Sequence, residues 1–534
     1  MFENLSWDIH NDRCVGLVGP NGAGKSSLLK MISGELSTES GFANARGAIS
    51  IGYLHQEPRL NPEYSVIQEA LTASSRLPEL QARLAGVEAD MGRPEVYSDE
   101  KKLSRKIEEQ AALLEEFTRI GGPGYEGQVR ATLLNLGFEE HELELPITAL
   151  SGGQKKLVGL AKLLVVQPDL LLLDEPDNHL DMQGKDFLEK YIRSYPGGVV
   201  IVSHDRYLLD VVADEIADLE EGRITVYPGN YSEYAAEKDA RRVQQQHQFD
   251  VQQREIKRLE LSAKRMLTWG RSHENEKLIR RAKSMMKRIE KMDKVDKPLA
   301  ERKDMGLQLA GWRGSNKVLE ISGLRKGFEV VGEEQRKEVL TGLDLTLWHG
   351  ERVGLVGPNG AGKSLLFRLL LDREQPDAGQ IKLGPSIRHA YYAQEHETLD
   401  SSRSLLDTVR RAANLSEPHA TSLLARFLYS YQQLNNRVDT LSGGERSRLQ
   451  LLLIMLSGAN FLLLDEPTNN LDIRSAEVLE EVLEGFEGSV MMISHDRYFL
   501  DQVATRVVEL QDGKLIDYPG GYSDYQEAKA KEKR

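Results

Sequence analysis

Residues Val15 to Ser26 read VGLVGPNGAGKS, and residues Val353 to Ser364 read VGLVGPNGAGKS again, letter for letter. Val15 to Val18 is a short apolar, β-branched run of the kind that ends a buried strand. Gly19 to Ser26 then fits G-x-x-x-x-G-K-[ST]. In that pattern Gly19, Gly22 and Gly24, with Asn21 between them, let backbone N–H groups wrap a phosphate chain. Lys25 reaches the terminal phosphates, and the Ser26 hydroxyl suits Mg²⁺. A helix is expected directly afterwards, its positive end aimed at the anion. Gly357, Asn359, Gly360, Gly362, Lys363 and Ser364 repeat every part. A Gly-rich turn with an accidental lysine would account for one copy. It does not account for two identical copies, each behind an apolar run.

The repetition extends well past the loops. YLHQEP (with Gln56), LSGGQ, LLLLDEPDNHLD and VIVSHDRYLLD follow the first copy. YYAQEH (with Gln394), LSGGE, FLLLDEPTNNLD and MMISHDRYFLD follow the second in the same order. The halves also end alike, in YPGNYSEY and YPGGYSDY. A duplicated domain is therefore predicted, over about 1–235 and 317–525, with a charged tail at 526–534. Each half alternates strand-like runs with amphipathic stretches, which predicts an α/β fold with a sheet core. The stretch between the glutamine and LSGG is roughly twice as long in the first half. Its surplus, about 77–118, is charged and helix-favouring and reads as an inserted helical pair.

A chain of 534 residues exceeds one ordinary core. No apolar run approaches the roughly 18 residues a membrane span needs. The N-terminus shows no secretory signal pattern. One cysteine, Cys14, excludes an internal disulfide and fits a reducing, cytoplasmic setting. The net charge is −14, which argues against a generally basic nucleic-acid binder. Residues 238–297 reverse that sign, with 18 Lys and Arg against 9 Asp and Glu. Within 236–316, Phe249, Gln252, Ile256, Leu259, Ala263 and Met266 form one heptad-like stripe. Leu278, Ala282, Met285, Ile289 and Met292 form another. Two helices of about 25 residues separated by TWGRSH are expected, an antiparallel hairpin with its basic residues off the apolar stripe. Such a segment reads either as a solvated spacer or as a contact for a polyanion.

Four further motifs carry chemistry. Asp174 and Asp465 end apolar runs, where a carboxylate beside a phosphate loop can hold Mg²⁺. Glu175 and Glu466 follow them and, pointing differently along the strand, suit the polarisation of an attacking water. His204 and His495 stand in S-H-D segments. Such a histidine is commonly structural, but a neutral imidazole there can hydrogen-bond a γ-phosphate. Gln56 and Gln394 offer an amide to Mg²⁺ or to water, or serve as plain strand-end polar groups. The LSGG turns, Ser151, Gly152, Gly153 and Gln154 in one half and Ser442, Gly443, Gly444 and Glu445 in the other, should each open a helix. Each is then a second anion-binding terminus, one too many unless it serves the other half's nucleotide.

This set of phosphate loop, glutamine, LSGG signature, Asp-Glu pair and S-H-D switch resembles an ABC ATPase. Two such halves joined by a basic hairpin, with no membrane span, resemble the ABC-F family over nearly the whole chain. The resemblance implies an enzyme that binds and hydrolyses ATP with Mg²⁺, and a monomer whose halves close on two ATP molecules. Site one would join Lys25, Ser26, Gln56, Asp174, Glu175 and His204 to Ser442–Glu445. Site two would join Lys363, Ser364, Gln394, Asp465, Glu466 and His495 to Ser151–Gln154. Ser26, Gln56 and Asp174, and likewise Ser364, Gln394 and Asp465, would face the metal. The resemblance also implies binding to the ribosome, with the 238–297 hairpin reaching tRNA and rRNA and Trp269–Arg271 nearest the RNA. A role in translation control is expected. An antibiotic-resistance factor, the ATPase subunit of a membrane transporter and a DNA-associated ATPase are the alternatives.

The chain departs from the family pattern twice. Phe328 matches an aromatic that stacks on adenine, and the first half has no counterpart, as though a strand were missing ahead of Met1. Asp177 stands where the other half has Thr468. A carboxylate close to Glu175 is expected to disfavour charge there and to slow site one.

Overall fold

The computed structural model describes all residues except 1, 3–4, 38–39, 43–48, 56–57, 59, 75, 120–121, 179, 221, 274, 291, 293–313, 330–335, 393–398, 401, 428, 470 and 533–534. Two compact units result, one of Met1–Tyr227 with Leu307–Arg534 and one of Pro228–Gly306.

In the first half of the larger unit, β1 (Cys14–Val18), β2 (Ile51–Tyr53), β3 (Leu170–Asp174), β4 (Gly198–Val202), β5 (Glu215–Glu220) and β6 (Arg223–Pro228) form one sheet in the order β2-β3-β4-β1-β5-β6. Pairings β2–β3, β3–β4, β4–β1 and β1–β5 are parallel. The continuous apolar runs fit this arrangement, because a parallel strand covered on both faces has no polar side. All five residues of β1, β3 and β4 are buried. Cys14 is one of them, and burial pushes its thiol pKa up.

The second half adds β7 (Lys317–Glu329), β8 (Arg336–Trp348), β9 (Arg352–Val356), β10 (Ala378–Leu383), β11 (His389–Tyr392), β12 (Phe461–Asp465), β13 (Ser489–Ile493), β14 (Arg506–Gln511) and β15 (Lys514–Pro519). Its main sheet, β11-β12-β13-β9-β14-β15, has the order of the first half's sheet. Strands β10, β7 and β8 make a separate antiparallel sheet. Residues Phe2, Leu5, Trp7 and Ile9 align with Leu340, Leu343, Leu345 and Leu347 of β8. They pack against the first half's core without forming a strand.

The predicted insertion is present as helices Arg76–Met91 and Glu100–Arg119, with a four-residue turn of helix at Pro94–Tyr97 between them. Leu80, Leu84, Val87 and Leu113 give the pair its own small core.

The smaller unit differs from expectation in its proportions. One helix runs from Tyr231 to Ser272, 42 residues, and the other from Glu276 to Glu290, 15 residues. TWGRSH does not break the chain. One glycine is too weak a breaker for a long helix, and the second helix starts where the Asn275 side chain accepts from Leu278 N–H. The predicted stripe is the buried one: Ile256, Leu259, Ala263, Ala282 and Ile289 are buried, with Met285 and Met292 packed against them. Trp269 therefore lies in the last turn of the long helix, 66% exposed and stacked on His273.

Candidate functional site

Each phosphate loop joins a buried strand, β1 or β9, to a helix starting at its lysine, Lys25–Ile32 or Lys363–Leu370. Gly24 and Gly362 cap those helices at φ 100° and 102°, a left-handed conformation that glycine adopts without strain. Lys25 Nζ donates to the Gly19 and Pro20 carbonyls, and Lys363 Nζ to those of Gly357 and Pro358. Burial lowers both lysine pKa values against the pull of the nearby carboxylates, among them Glu175 and Asp174 for Lys25 and Glu466 and Asp465 for Lys363.

Both signature turns cap helices as their sequence requires. The Ser151 and Gln154 side chains and backbones bond reciprocally at the start of Gly152–Val166. Ser442 and Glu445 do the same for Gly443–Leu456. A helix that starts this way leaves first-turn N–H groups without intrahelical partners, which is the feature an anion site needs.

Glu175 and Glu466 directly follow β3 and β12 in the left-handed region, at φ 50° and 49°. A non-glycine residue there costs of order 1–3 kcal/mol and clusters at functional sites. Their N–H groups donate to the Val202 and Ile493 carbonyls, which fixes the turn. His204 Nε2 lies 3.6 Å from Glu175 Oε1, and His495 Nε2 lies 3.4 Å from Glu466 Oε1. Burial, reinforced by Lys25, holds the His204 pKa down at about 4. Burial with Lys363 and Lys185 holds His495 well below its ordinary value. Both imidazoles are therefore neutral at pH 7, as the γ-phosphate reading needs. Burial raises the Glu175 pKa, with Asp174 adding to it and Lys156 and Lys25 opposing. The more enclosed Glu466 is raised to about 7, burial again leading.

The expected effect of Asp177 on Glu175 takes a different form. Asp177 Oδ1 accepts from Ser203 Oγ at 2.8 Å, and its charge faces Lys185. The charged groups acting on Glu175 are Lys156, Asp174 and Lys25.

One cavity of about 970 Å³ joins the halves. Ser151, Gly153 and Gln154 line it from the first half, and Phe328, Asn359, Lys363, Ser364, Asp465, Glu466 and His495 from the second. Most of the predicted site residues on it belong to site two, with Phe328 41% exposed among them beside the Lys326 ammonium, and Glu175 and His204 of site one line the same cavity. In site one, Lys25, Asp174, Glu175 and His204 share one electrostatic neighbourhood with Asp472 of the other half. The signature segment of that site bonds within its own half, Ser442 to Glu445 and Glu445 to Gln433. Gln56 and Gln394 lie outside the described residues.

The Asp174 carboxylate is buried, with the Tyr53 hydroxyl beside it. Asp465 Oδ2 accepts from Tyr391 Oη at 3.4 Å and also faces Ser364. Acid and hydroxyl oxygens of this kind suit a hard divalent cation.

Asp181, Asp472, Lys156 and Asn178 contribute to the sites without having been singled out from the motifs. Asn21 N–H donates to Asp472 across 3.2 Å, and Asn359 N–H donates to Asp181 across 3.3 Å, so each loop is bonded by the opposite half. Lys156 Nζ holds the Glu175 carbonyl, and Asn178 Nδ2 holds its carboxylate. The recurring Leu-Asp after each Asp-Glu-Pro was the available signal for Asp181 and Asp472. Lys156 has none, since the second half has Ser447 at its place.

Two mainly parallel sheets of one order, two phosphate loops and a signature turn facing the opposite loop define a tandem ABC-type ATPase, which hydrolyses ATP to ADP and phosphate. The pattern of the family described as ABC transporter matches residues 2–178 and 340–469, and an extension pattern of the same description matches 217–309. The chain belongs to the ABC-F family of these proteins. It is similar to YdiF of Bacillus subtilis, 38% identical over 100% of this chain and 81% of that one. It is similar to the energy-dependent translational throttle protein EttA of Escherichia coli K12, 35% identical over 99% and 93%. ABC transporter F family member 5 of Arabidopsis thaliana is 32% identical over 99% and 75%. Among solved structures, an archaeal ribosome recycling factor bound to a ribosomal stalk protein shares the fold, with a TM-score of 0.58 at 19% identity over 99% of this chain and 89% of that one. No helix among the described residues is long and apolar enough to cross a membrane.

Proposed function

We propose that this ATPase acts on the ribosome in the cytoplasm to regulate translation, with its basic hairpin contacting tRNA or rRNA. The observation that carries the reading is the charge reversal. A chain of net charge −14 gathers 18 Lys and Arg against 9 Asp and Glu in residues 238–297, the charge pattern of a phosphate-backbone contact. Most of that segment is a two-helix hairpin whose apolar stripe is internal, which leaves the cations outward. The similarity to a translational throttle protein supports the same partner.

ATP with Mg²⁺ is the proposed cofactor. Asp174 with Ser26 and Asp465 with Ser364 would hold the cation, which supplies charge neutralisation at the transferring phosphate. Glu175 and Glu466 would orient and deprotonate water, and the neutral His204 and His495 would donate to the γ-phosphate. Each site borrows groups from the opposite half. Nucleotide therefore favours the paired arrangement, and hydrolysis releases it. The protein would act as a monomer through this internal pairing.

The test uses the double variant Glu175→Gln, Glu466→Gln with ATP in a cell lysate, resolved by sedimentation. Co-sedimentation with ribosomes only in the presence of ATP is expected. Retention on membranes or at the top of the gradient refutes the ribosome assignment.

A further inference from the structure

The two halves differ at two buried places that face each other. The first half carries Asp177 and Lys185, and the second carries Thr468 and Ala476. Both first-half residues are buried. Lys185 Nζ donates to Asp205 Oδ2 at 2.7 Å and to the His495 carbonyl, in the opposite half, at 2.8 Å. Ser203 Oγ binds Asp177 and also accepts from Asp205 N–H, so the two carboxylates flank the lysine as one unit. Burial works against the Lys185 charge, but Asp205 and Asp177 outweigh it and push its pKa up. The ammonium is thus held charged and fixed.

The residue it grips contacts Glu466 twice. His495 N–H donates to Glu466 Oε2 at 3.2 Å, and His495 Nε2 lies 3.4 Å from Oε1. An alanine at position 476 has no group to do the same for His204. We propose that Lys185 is a positioning residue for the second half's ATP site, fixing His495, and through it Glu466, from the opposite half, while the first half's site lacks this support. Site two is then the faster site, and its geometry depends on the halves being paired.

The inference rests on Glu466 acting as the base of site two. The experiment measures kcat and KM for ATP in a Glu175→Gln background, where turnover belongs to site two. Into this go Lys185→Ala, Lys185→Arg, and the double change Asp177→Thr, Lys185→Ala. The double change installs the second half's own residues and so leaves no buried Asp177 without its lysine, while Asp205 keeps its bond from Leu208 N–H. A loss of about 10-fold in kcat with KM nearly constant is expected for the double change, with substantial recovery in Lys185→Arg. An unchanged kcat, a change in KM alone, or an equal kcat loss in a Glu466→Gln background overturns the proposal. If adding Glu466→Gln leaves turnover of the Glu175→Gln protein standing, the assignment of Glu466 itself fails and the proposal falls with it.

Discussion

Arg497 of the second half donates from Nη1 to Glu189 Oε1 of the first at 2.6 Å and from Nη2 to Asp186 Oδ1 at 2.8 Å. Arg206 and Glu480 form the same pair in the opposite sense. Each guanidinium also lies over the other half's tyrosine, Arg206 over Tyr498 and Arg497 over Tyr207. These arginines directly follow the S-H-D switches, so this pair of contacts between the halves sits two residues from each histidine.

Arg497 is 1% exposed, so its removal strands a partly buried Glu189. Arg497→Ala is expected to cost roughly 3–5 kcal/mol. The double change Arg497→Leu, Glu189→Leu should cost clearly less than that single change, because neither charge is left alone. Urea unfolding of the unsubstituted protein, Arg497→Ala and the double variant checks both statements. A double variant as unstable as Arg497→Ala would show that packing, and not the stranded charge, sets the cost.

Asp472 has two tasks that substitution can separate. Oδ1 caps the helix Ile473–Glu484 through Ser475 N–H, and Oδ2 accepts from Asn21 N–H of the opposite phosphate loop. Asp472→Asn keeps a capping oxygen but loses the charge near Lys25, while Asp472→Ala loses the cap as well, at about 1 kcal/mol. Turnover at site one, read in a Glu466→Gln background, should fall in both variants, with the melting temperature falling mainly in Asp472→Ala. Full activity in Asp472→Asn would remove Asp472 from the site.

The carboxyl of Glu466 ionises at about 7 because burial disfavours its charge, Lys363 only partly compensating. A base works when ionised, so activity at site two is absent well below that pH, rises through it and levels off above. Plotted for the Glu175→Gln protein, kcat/KM reports the free enzyme. Its acid limb should lie near pH 7 and not near the ordinary carboxylate value of about 4.3. A limb close to 4.3 would contradict the role given to Glu466.

Much of the site was legible because its parts are local. VGLVGPNGAGKS carries strand, turn and helix start in consecutive residues, and LSGGQ and LSGGE each contain a whole capping box. The α/β class and the inserted helices followed from apolar periodicity, a property of neighbouring residues. The hairpin's stripe was legible for the same reason. Its lengths were not, because Gly270 looks like a breaker but costs a long helix only about 1 kcal/mol. The orientation of Asp177 escaped as well. Its carboxylate turns away from Glu175, its near neighbour in the chain, to Ser203 just beyond β4 and to Lys185 on the helix Met182–Arg193.

The sequence by itself determined that the chain is a duplicated ATP-binding enzyme, because loop, carboxylates and signature turns are written in short runs whose chemistry depends on adjacent backbone. Tertiary structure alone decided that Asp472 and Asp181 bond the opposite half's phosphate loop, that Glu175 and Glu466 sit in left-handed turns, and that Lys185 reaches across to His495. Those facts depend on pairs up to 451 residues apart, and only the packing of two folded sheets brings such pairs within hydrogen-bonding distance.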